Sequence, residues 1–575
     1  MTDASLPARL VAILERERRA GAQAVRDVHA LSLEERVEAG ESVSGLSVSA
    51  EQDGGFVLEC AENLSRFREG DLLWLSDGER IASGLAVVFR DFDPDRGRVR
   101  VEADRFQSGG RLDARRGLVL DRRRLDLTER TIGAVRAVFS RDEFQAARDL
   151  LAGSRKGTAA VFPPGPLVDG ELDPDQQAAL QLSLERPFQL VQGPPGAGKT
   201  RLAAAICRTF LEAGRRVVVS AFTHRAVNNL LSAVAGSNRP GERAKWPLYK
   251  IGAAHHAEQL EAQGVELVPS ARRLPETTGA LLVGVTSHAA SNLLGRRFDL
   301  ALIDEAGQVS LPHACAILPL ADRHVIVGDH RQLPPLLVAE HQDPLASRSL
   351  FEQLHEFYGS HFLSRTYRMN AELCRFPSEA FYGGRLSPSP GSRDRRLVLG
   401  GDPGPVLAAE PSGLIVPMDH HGARILSPLE AEFAALLAAR AVEAGLPSSE
   451  VAVIAPHRAQ GNRIRDLLRK RLPELPANRL PLVDTVERIQ GGERDLIILS
   501  LTASDPEALL GEAAFFFSPN RLNVSLTRAR KKLVILMSPA ILESFPDDPE
   551  ALRGADLLRR VWRSYPRVEA GALPE

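Results

Sequence analysis

The sequence predicts an α/β protein with two separate parallel sheets, preceded by a helical stalk and a small β-barrel. Three observations carry that expectation. From Phe188 onward, short apolar runs alternate with helical patterns, the mark of strands covered on both faces. These runs fall into two sets: 217–220, 281–285, 300–303 and 324–327, then 451–454, 496–501 and 533–537, which is more than one sheet needs. The first 150 residues read differently, with short strands at 56–59, 71–75, 81–89 and 98–102 parted by Gly/Asp turns.

A charged, helically spaced segment over 7–28 enters the barrel region, and a second helix over 128–139 leaves it. The expected divisions are 1–150 for stalk and barrel, 151–343 and 344–545 for the two α/β units, and 546–575 for a terminal helix and tail. Within the first unit a short helical insert is expected at about 232–279. Between the two strand sets, the Pro/Gly/Arg-rich stretch 386–413 reads as a surface loop.

Composition bounds the function. The chain has 575 residues, 44% hydrophobic and 25% charged, with a net charge of −2, so no global field attracts a polyanion. A nucleic-acid partner would have to meet a local basic groove. Cys60, Cys207, Cys315 and Cys374 lie far apart, without the spacing of a zinc module, cluster or disulfide framework. The pairs His255-His256 and His420-His421 stand in polar stretches and read as solvated loops. With no membrane-length run and no leader pattern, the expectation is a cytoplasmic protein without a membrane partner.

The most informative motif is Gly193-Pro194-Pro195-Gly196-Ala197-Gly198-Lys199-Thr200, between an apolar strand and an amphipathic helix. Glycines at this spacing let backbone N–H groups converge on one anion. Lys199 reaches the outer phosphates, and the Thr200 hydroxyl can ligate Mg²⁺. A strand over 300–303 then delivers Asp304-Glu305. Asp304 is placed for the second Mg²⁺ contact, and Glu305 for orienting and deprotonating an attacking water. After the next strand comes Gly328-Asp329-His330-Arg331-Gln332, where the Gln332 amide can sense a γ-phosphate. Arg368 and Arg528, in the second strand set, could supply cationic charge to the same phosphate from another domain.

The ordered series GPPGAGKT, AFTHRAVNNL, GVTSHAA, DEAGQ, GDHRQLPP, TYRMN, QGGERD and RLNVSLTRAR resembles the motif set of superfamily 1 helicases. Within that superfamily it is similar to the subgroup of the nonsense-mediated-decay helicase, the immunoglobulin-mu-binding helicase and the replication helicase–nuclease. The resemblance covers about 172–538, and more weakly a barrel and stalk over 30–138. It implies two RecA-like domains with ATP in the cleft between them. It also implies that Gln176 reads adenine, Tyr367 stacks on the base, Arg368 and Arg528 are arginine fingers, and Glu493 contacts nucleotide or sugar. Thr223, His224, Thr286, Ser287, Pro456, His457, Asp484 and Thr485 match strand-contacting positions, which grip backbone rather than read bases.

What the resemblance implies is an ATP- and Mg²⁺-dependent monomeric motor on single-stranded DNA or RNA, moving 5′-to-3′. The sequence is read as lacking the nuclease of the helicase–nucleases and the zinc-rich module of the decay helicase, so a motor core alone is the expectation. A remodeller that does not unwind and a non-motor ATP switch are the alternatives.

Overall fold

The computed structural model describes residues 6–569 except 53, 62, 64, 66, 68, 94, 95, 105–114, 124, 125, 157–171, 237–244, 253–257, 277, 278, 490 and 491. The His255-His256 pair and the Gln490-Gly491 part of QGGERD lie outside the described residues.

The stalk helix Leu6–Ala30 buries Leu10, Ile13 and Leu14 and turns Arg9 and Glu17 towards the first unit. Its apolar stripe packs with Ile132, Val135 and Val138 of the return helix Thr128–Ser140, in the same core as one face of the first sheet. Between these helices, Ser32 and Glu35 form a capping box that starts the short helix Leu33–Glu38. Six antiparallel strands then close a barrel in the order β1-β2-β5-β4-β3-β6. They are β1 (Ser42–Gln52), β2 (Gly55–Glu59), β3 (Leu72–Ser76), β4 (Leu85–Asp93), β5 (Arg98–Ala103) and β6 (Leu118–Arg122).

Sequence patterning missed β1 and β6, the pair that closes the barrel. β1 is serine-rich, and its glycine Gly45 has φ +69° where the register with β6 shifts between Val43 and Leu46. That is the signature of a bulge, which breaks the period-two pattern.

The first sheet holds β7 (Phe188–Gln192), β8 (Arg216–Ala221), β9 (Leu248–Ile251), β10 (Val265–Val268), β11 (Leu281–Thr286), β12 (Leu300–Ile303), β13 (His324–Gly328) and β14 (His361–Phe362). All pair in parallel, in the order β10-β9-β11-β8-β12-β13-β7-β14. Alternate residues enter opposite cores: Val218, Val283 and Ile303 on one face, Val217, Val219 and Leu302 on the other. The insert expected to be helical does carry a helix, Glu258–Ala262, but between β9 and β10, so it widens the sheet by two strands. Four-residue strands give too short a pattern to separate from helix by periodicity.

A two-residue pair, β15 (Arg365–Thr366) with β16 (Ser387–Pro388), precedes the second sheet. That sheet holds β17 (Gly413–Pro417), β18 (Val451–Ile454), β19 (Leu482–Asp484), β20 (Arg494–Ser500) and β21 (Ala529–Met537), all parallel, in the order β17-β21-β20-β18-β19. Helices Ala371–Phe381 and Pro549–Ser564 cover one face, and Pro428–Glu443 and Arg458–Arg471 the other. The stretch 386–413 is mostly loop, but it folds the short helices Pro390–Arg393 and Pro405–Ala408. It is tied down where the Asn370 amide donates to the Arg395 carbonyl at 2.9 Å.

The stalk is clamped to the first unit beside the GDHRQLPP segment. Arg9 donates to both Asp343 oxygens at 2.8 and 2.6 Å, and the Glu17 carboxylate accepts from the N–H groups of Val338 and Ala339 at 2.9 Å each. Among the described residues no helix is long and apolar enough to cross a membrane.

Candidate nucleotide site and strand-facing residues

β7 delivers the chain into the glycine loop, and the Gly193 N–H donates to Gly328 O at 3.0 Å across the end of β13. Gly196 and Gly198 both adopt φ +75°, the left-handed region that lets the loop curl. A side chain at Gly193 would meet Lys199 Cγ at 2.2 Å, and one at Gly196 would meet Arg368 Cβ at 2.5 Å. The loop is therefore closed on itself and pressed against the second unit. Lys199 folds back so that Nζ donates to Gly193 O at 2.9 Å. Thr200 is half-buried in the first turn of the helix Lys199–Glu212.

Residues 366–368 cover this loop. The Thr366 hydroxyl donates to Pro195 O at 2.9 Å, and the Tyr367 N–H donates to Gly196 O at 2.8 Å. The Tyr367 phenol donates to Asp173 at 2.7 Å while its ring stays 37% exposed, which leaves an aromatic surface beside the loop. Burial and Asp173 hold that phenol protonated, up to about 12. Gln176 lies beneath. Its oxygen accepts from the Asp173 N–H at 3.2 Å, and its nitrogen donates to Ala197 O at 3.0 Å. In this structure the amide expected to face adenine braces the loop instead, 1% exposed.

Asp304 and Glu305 follow β12. The Asp304 carboxylate is buried and accepts from the Glu305 N–H at 2.9 Å. Burial first, then the Glu305 charge, push its carboxyl above the usual carboxylate range, against the pull of Lys199. Glu305 sits at φ +49°, a strained setting for a side chain that is not glycine.

The two arginines approach from the second unit. Arg368 donates to Glu493 at 2.6 Å and to Thr527 O at 3.0 Å. Glu493, expected at the nucleotide, is held by Arg368 and, at 3.6 Å, Arg530. Although burial opposes it, these cations keep its carboxyl below the usual range. Arg528 is 1% exposed and donates to Gly492 O at 3.3 Å, while its Nε and Nη2 have no hydrogen-bond partner among the described residues. Burial, then the like charge of Arg368, lower its pKa to about 9. A buried cation with unsatisfied donors is costly, and an anion of the size of a phosphate relieves it. The residues present thus fit a triphosphate, and the hydroxyl–carboxylate pair Thr200 and Asp304 fits a hard divalent ion.

Gln332 is buried, with its nitrogen donating to Asp329 at 2.9 Å. Sequence reasoning assigned nothing to Asp329, Tyr382, Asn520 or Asn523. Yet Asp329 accepts from Tyr382, and Asn520 and Asn523 donate to carbonyls of residues 330–332. For Asn523 alone the available signal was a polar residue among the apolar Leu522, Val524 and Leu526 of a short helix.

The strand-contacting candidates sit at strand carboxyl ends on adjacent strands. Thr223 caps the helix His224–Ala235 after β8, accepting from the Ala226 N–H at 3.2 Å, and is exposed. Thr286 ends β11, and the Ser287 N–H donates to Ala221 O at 2.9 Å. Pro456 and His457 follow β18, where the His457 ring lies 5.3 Å from both Phe515 and Phe516. Asp484 ends β19 and accepts from the Thr485 N–H at 2.9 Å.

Residues 171–357 match one family model and residues 346–540 another, each described as an AAA domain. The mouse DNA replication ATP-dependent helicase/nuclease DNA2 is 29% identical over 419 residues, covering 66% of this chain and 38% of that protein. The DNA-binding protein SMUBP-2 of Mesocricetus auratus is 27% identical over 455 residues, covering 67% and 45%. The chain is homologous to superfamily 1 helicases. It matches less than half the length of these relatives. Among solved structures, the arterivirus nonstructural protein 10 helicase aligns at TM-score 0.41 and 13% identity, over 85% of this chain and 78% of its own.

Proposed function

We propose that this helicase homologue hydrolyses ATP between its two RecA-like units and uses the cycle to move 5′-to-3′ along single-stranded nucleic acid and separate duplexes. The observation that carries this is Arg528, a buried guanidinium from one unit that feels the Glu305 carboxylate of the other and has two donors without a partner among the described residues.

Lys199 and the loop N–H groups of 193–200 hold the phosphates, Tyr367 offers its ring to the base, and Gln176 reaches adenine only by leaving Ala197. Mg²⁺ held by Thr200 and Asp304 would neutralise phosphate charge. Glu305 takes a proton from the attacking water, and Gln332 senses the γ-phosphate. Arg368 and Arg528 stabilise charge on the transferring group, with Glu493 holding Arg368 in place. Thr223, His224, Thr286, Ser287, Pro456, His457, Asp484 and Thr485 grip the strand backbone, so opening and closing of the cleft shifts that grip. We place the protein in a reducing compartment, the cytoplasm, in keeping with four free, buried cysteines, and read it as a monomer.

Steady-state ATPase with single-stranded DNA and RNA in parallel, together with a forked-duplex assay, tests this. Strand-stimulated turnover with fork opening is expected. Stimulation without opening marks a remodeller, and turnover indifferent to both strands removes the motor.

A further inference from the structure

The phenol of Tyr382 sits where the two sheet-bearing units meet, and it is 2% exposed. It donates to Asp329 Oδ2 at 2.8 Å and accepts from the Asn523 amide at 2.8 Å. A carboxylate only accepts, so the single phenolic hydrogen must go to Asp329, and the oxygen is left to accept from Asn523. The same Asp329 oxygen accepts from Gln332 Nε2 at 2.9 Å, and its other oxygen accepts from the Arg331 N–H at 3.1 Å and from Gln192 at 3.2 Å. The result is a directed chain, Asn523 to Tyr382 to Asp329, with Gln332 tied to the same carboxylate.

The two ends of this chain matter. Asp329 and Gln332 belong to the segment after β13 in the first sheet. Tyr382 caps the helix Ala371–Phe381, which begins just after Arg368, and Asn523 lies in the helix Pro519–Leu526, which ends just before Arg528. Thr527 extends the connection, donating to Asn523 O at 2.7 Å while its carbonyl accepts from Arg368. Both arginine-bearing segments therefore meet at one hydroxyl, and that hydroxyl reports on the Gln332 pair.

Burying these polar groups is expensive, and the fold spends it selectively. Asn523 Oδ1 is buried with no partner among the described residues, so its amide is retained for its two donated bonds, to Tyr382 and to Arg331 O at 2.7 Å. Burial and the Asp329 charge raise the Tyr382 phenol well above its ordinary value, so it stays a donor at every working pH.

We infer that Tyr382 is a positioning residue that couples the orientation of Gln332 in one unit to the placement of Arg368 and Arg528 by the other. It touches no reacting atom; it makes hydrolysis answer to the relative position of the units. The inference rests on the motor reading above.

The test measures kcat and KM for ATP in the full chain, with and without a single-stranded thymidylate or uridylate oligonucleotide, whichever stimulates the unaltered protein. Tyr382→Phe is expected to lower the ratio of stimulated to basal kcat about tenfold, with KM for ATP within threefold. Simple loss of folded protein would lower both rates equally and leave the ratio alone. Should Tyr382→Phe melt below the assay temperature, Asn523→Ser cuts the same chain at its other end and is read the same way. If both single variants fold, their combination should lower the ratio no further than the worse single change, because one chain is cut twice. A ratio changed less than threefold in a folded variant overturns the inference and leaves the motor reading standing. An unaltered protein that no strand stimulates overturns both.

Discussion

The two parallel sheets share one topology and put it to different chemical use. Without the added strands β9, β10 and β14, the first reads β7-β13-β12-β8-β11 and the second β17-β21-β20-β18-β19. In both, the earliest strand lies at an edge beside the latest, with the fourth, second and third following. The correspondence reaches single residues. Among the described residues, the only non-glycine positions with positive φ are Glu305 (+49°) and Thr502 (+66°). Each lies two residues beyond the end of the fourth strand, β12 or β20.

What fills these equivalent places differs. After β7 comes a glycine loop whose Lys199 amine folds back onto Gly193 O and whose Pro195, Gly196 and Ala197 carbonyls accept from Thr366, Tyr367 and Gln176. After β17 comes Met418-Asp419-His420-His421, with no phosphate loop. There the polar groups satisfy one another. The fully buried Glu430 meets His420 Nε2 at 2.9 Å, accepts from the Ser500 hydroxyl at 2.6 Å, and accepts from the strained Thr502 N–H at 2.8 Å. The His420-His421 pair, expected in a solvated loop, thus divides: His420 enters this network and His421 stays exposed. One sheet turns its carboxyl edge, with the glycine loop and the Asp304-Glu305 pair, towards the other unit. The other closes the same edge internally, and its Arg368 packs against Gly196 of its neighbour.

This contrast can be broken by experiment. The largest effect is expected from Glu305→Gln or Lys199→Ala, either of which should lower strand-stimulated ATPase by roughly a thousandfold or more. Turnover close to that of the unaltered protein would mean that the first edge is not the reacting one. Arg528→Ala should cost about a thousandfold in kcat while equilibrium binding of a fluorescent ATP analogue changes little. A loss confined to binding would put the arginine in the ground-state grip. Glu430→Ala attacks the closed edge. It should destabilise the fold by about 3–5 kcal/mol in denaturant melts, because His420, Ser500 and the Thr502 N–H lose a shared buried partner. A cost under about 1 kcal/mol would show that the second edge does not depend on internal satisfaction.

The smallest effect concerns acid. His324 in β13 is fully buried, and burial lowers its pKa to about 3, against about 6.5 in an unfolded chain. The unfolded state takes up a proton that the folded state refuses. The stabilisation from this group is therefore whole above about pH 6.5 and is lost as pH falls from there towards 3. Between about pH 7 and 5, hydrogen exchange should show β13 losing about 2 kcal/mol of protection relative to β21. Equal protection at both pH values would remove His324 from the account.

Much of the architecture was legible in the sequence because it follows from local pattern. Alternating apolar runs and helices announced two covered sheets, and the spacing from Gly193 to Thr200 announced a phosphate cradle. The residues that complete the site were legible only as motif members. Gln176 and Glu493 match nucleotide-contacting positions, yet here one braces the loop and the other holds Arg368. Tyr382 gave no signal, since one tyrosine after an apolar helix looks like core until Asp329, 53 positions away, is seen to accept from it.

The sequence by itself determined the phosphate loop, the carboxylates at the end of β12 and the doubling of the α/β unit. Each depends on residues within about a dozen positions of one another, where backbone propensity and periodicity act. Only the tertiary structure decided that β1 and β6 close the barrel and that β9 and β10 widen the first sheet. It alone buried Arg528 with two donors unanswered among the described residues and joined both arginine segments to Gln332 through one phenol. Such outcomes turn on which distant polar groups are buried together, and burial is a property of the packed chain.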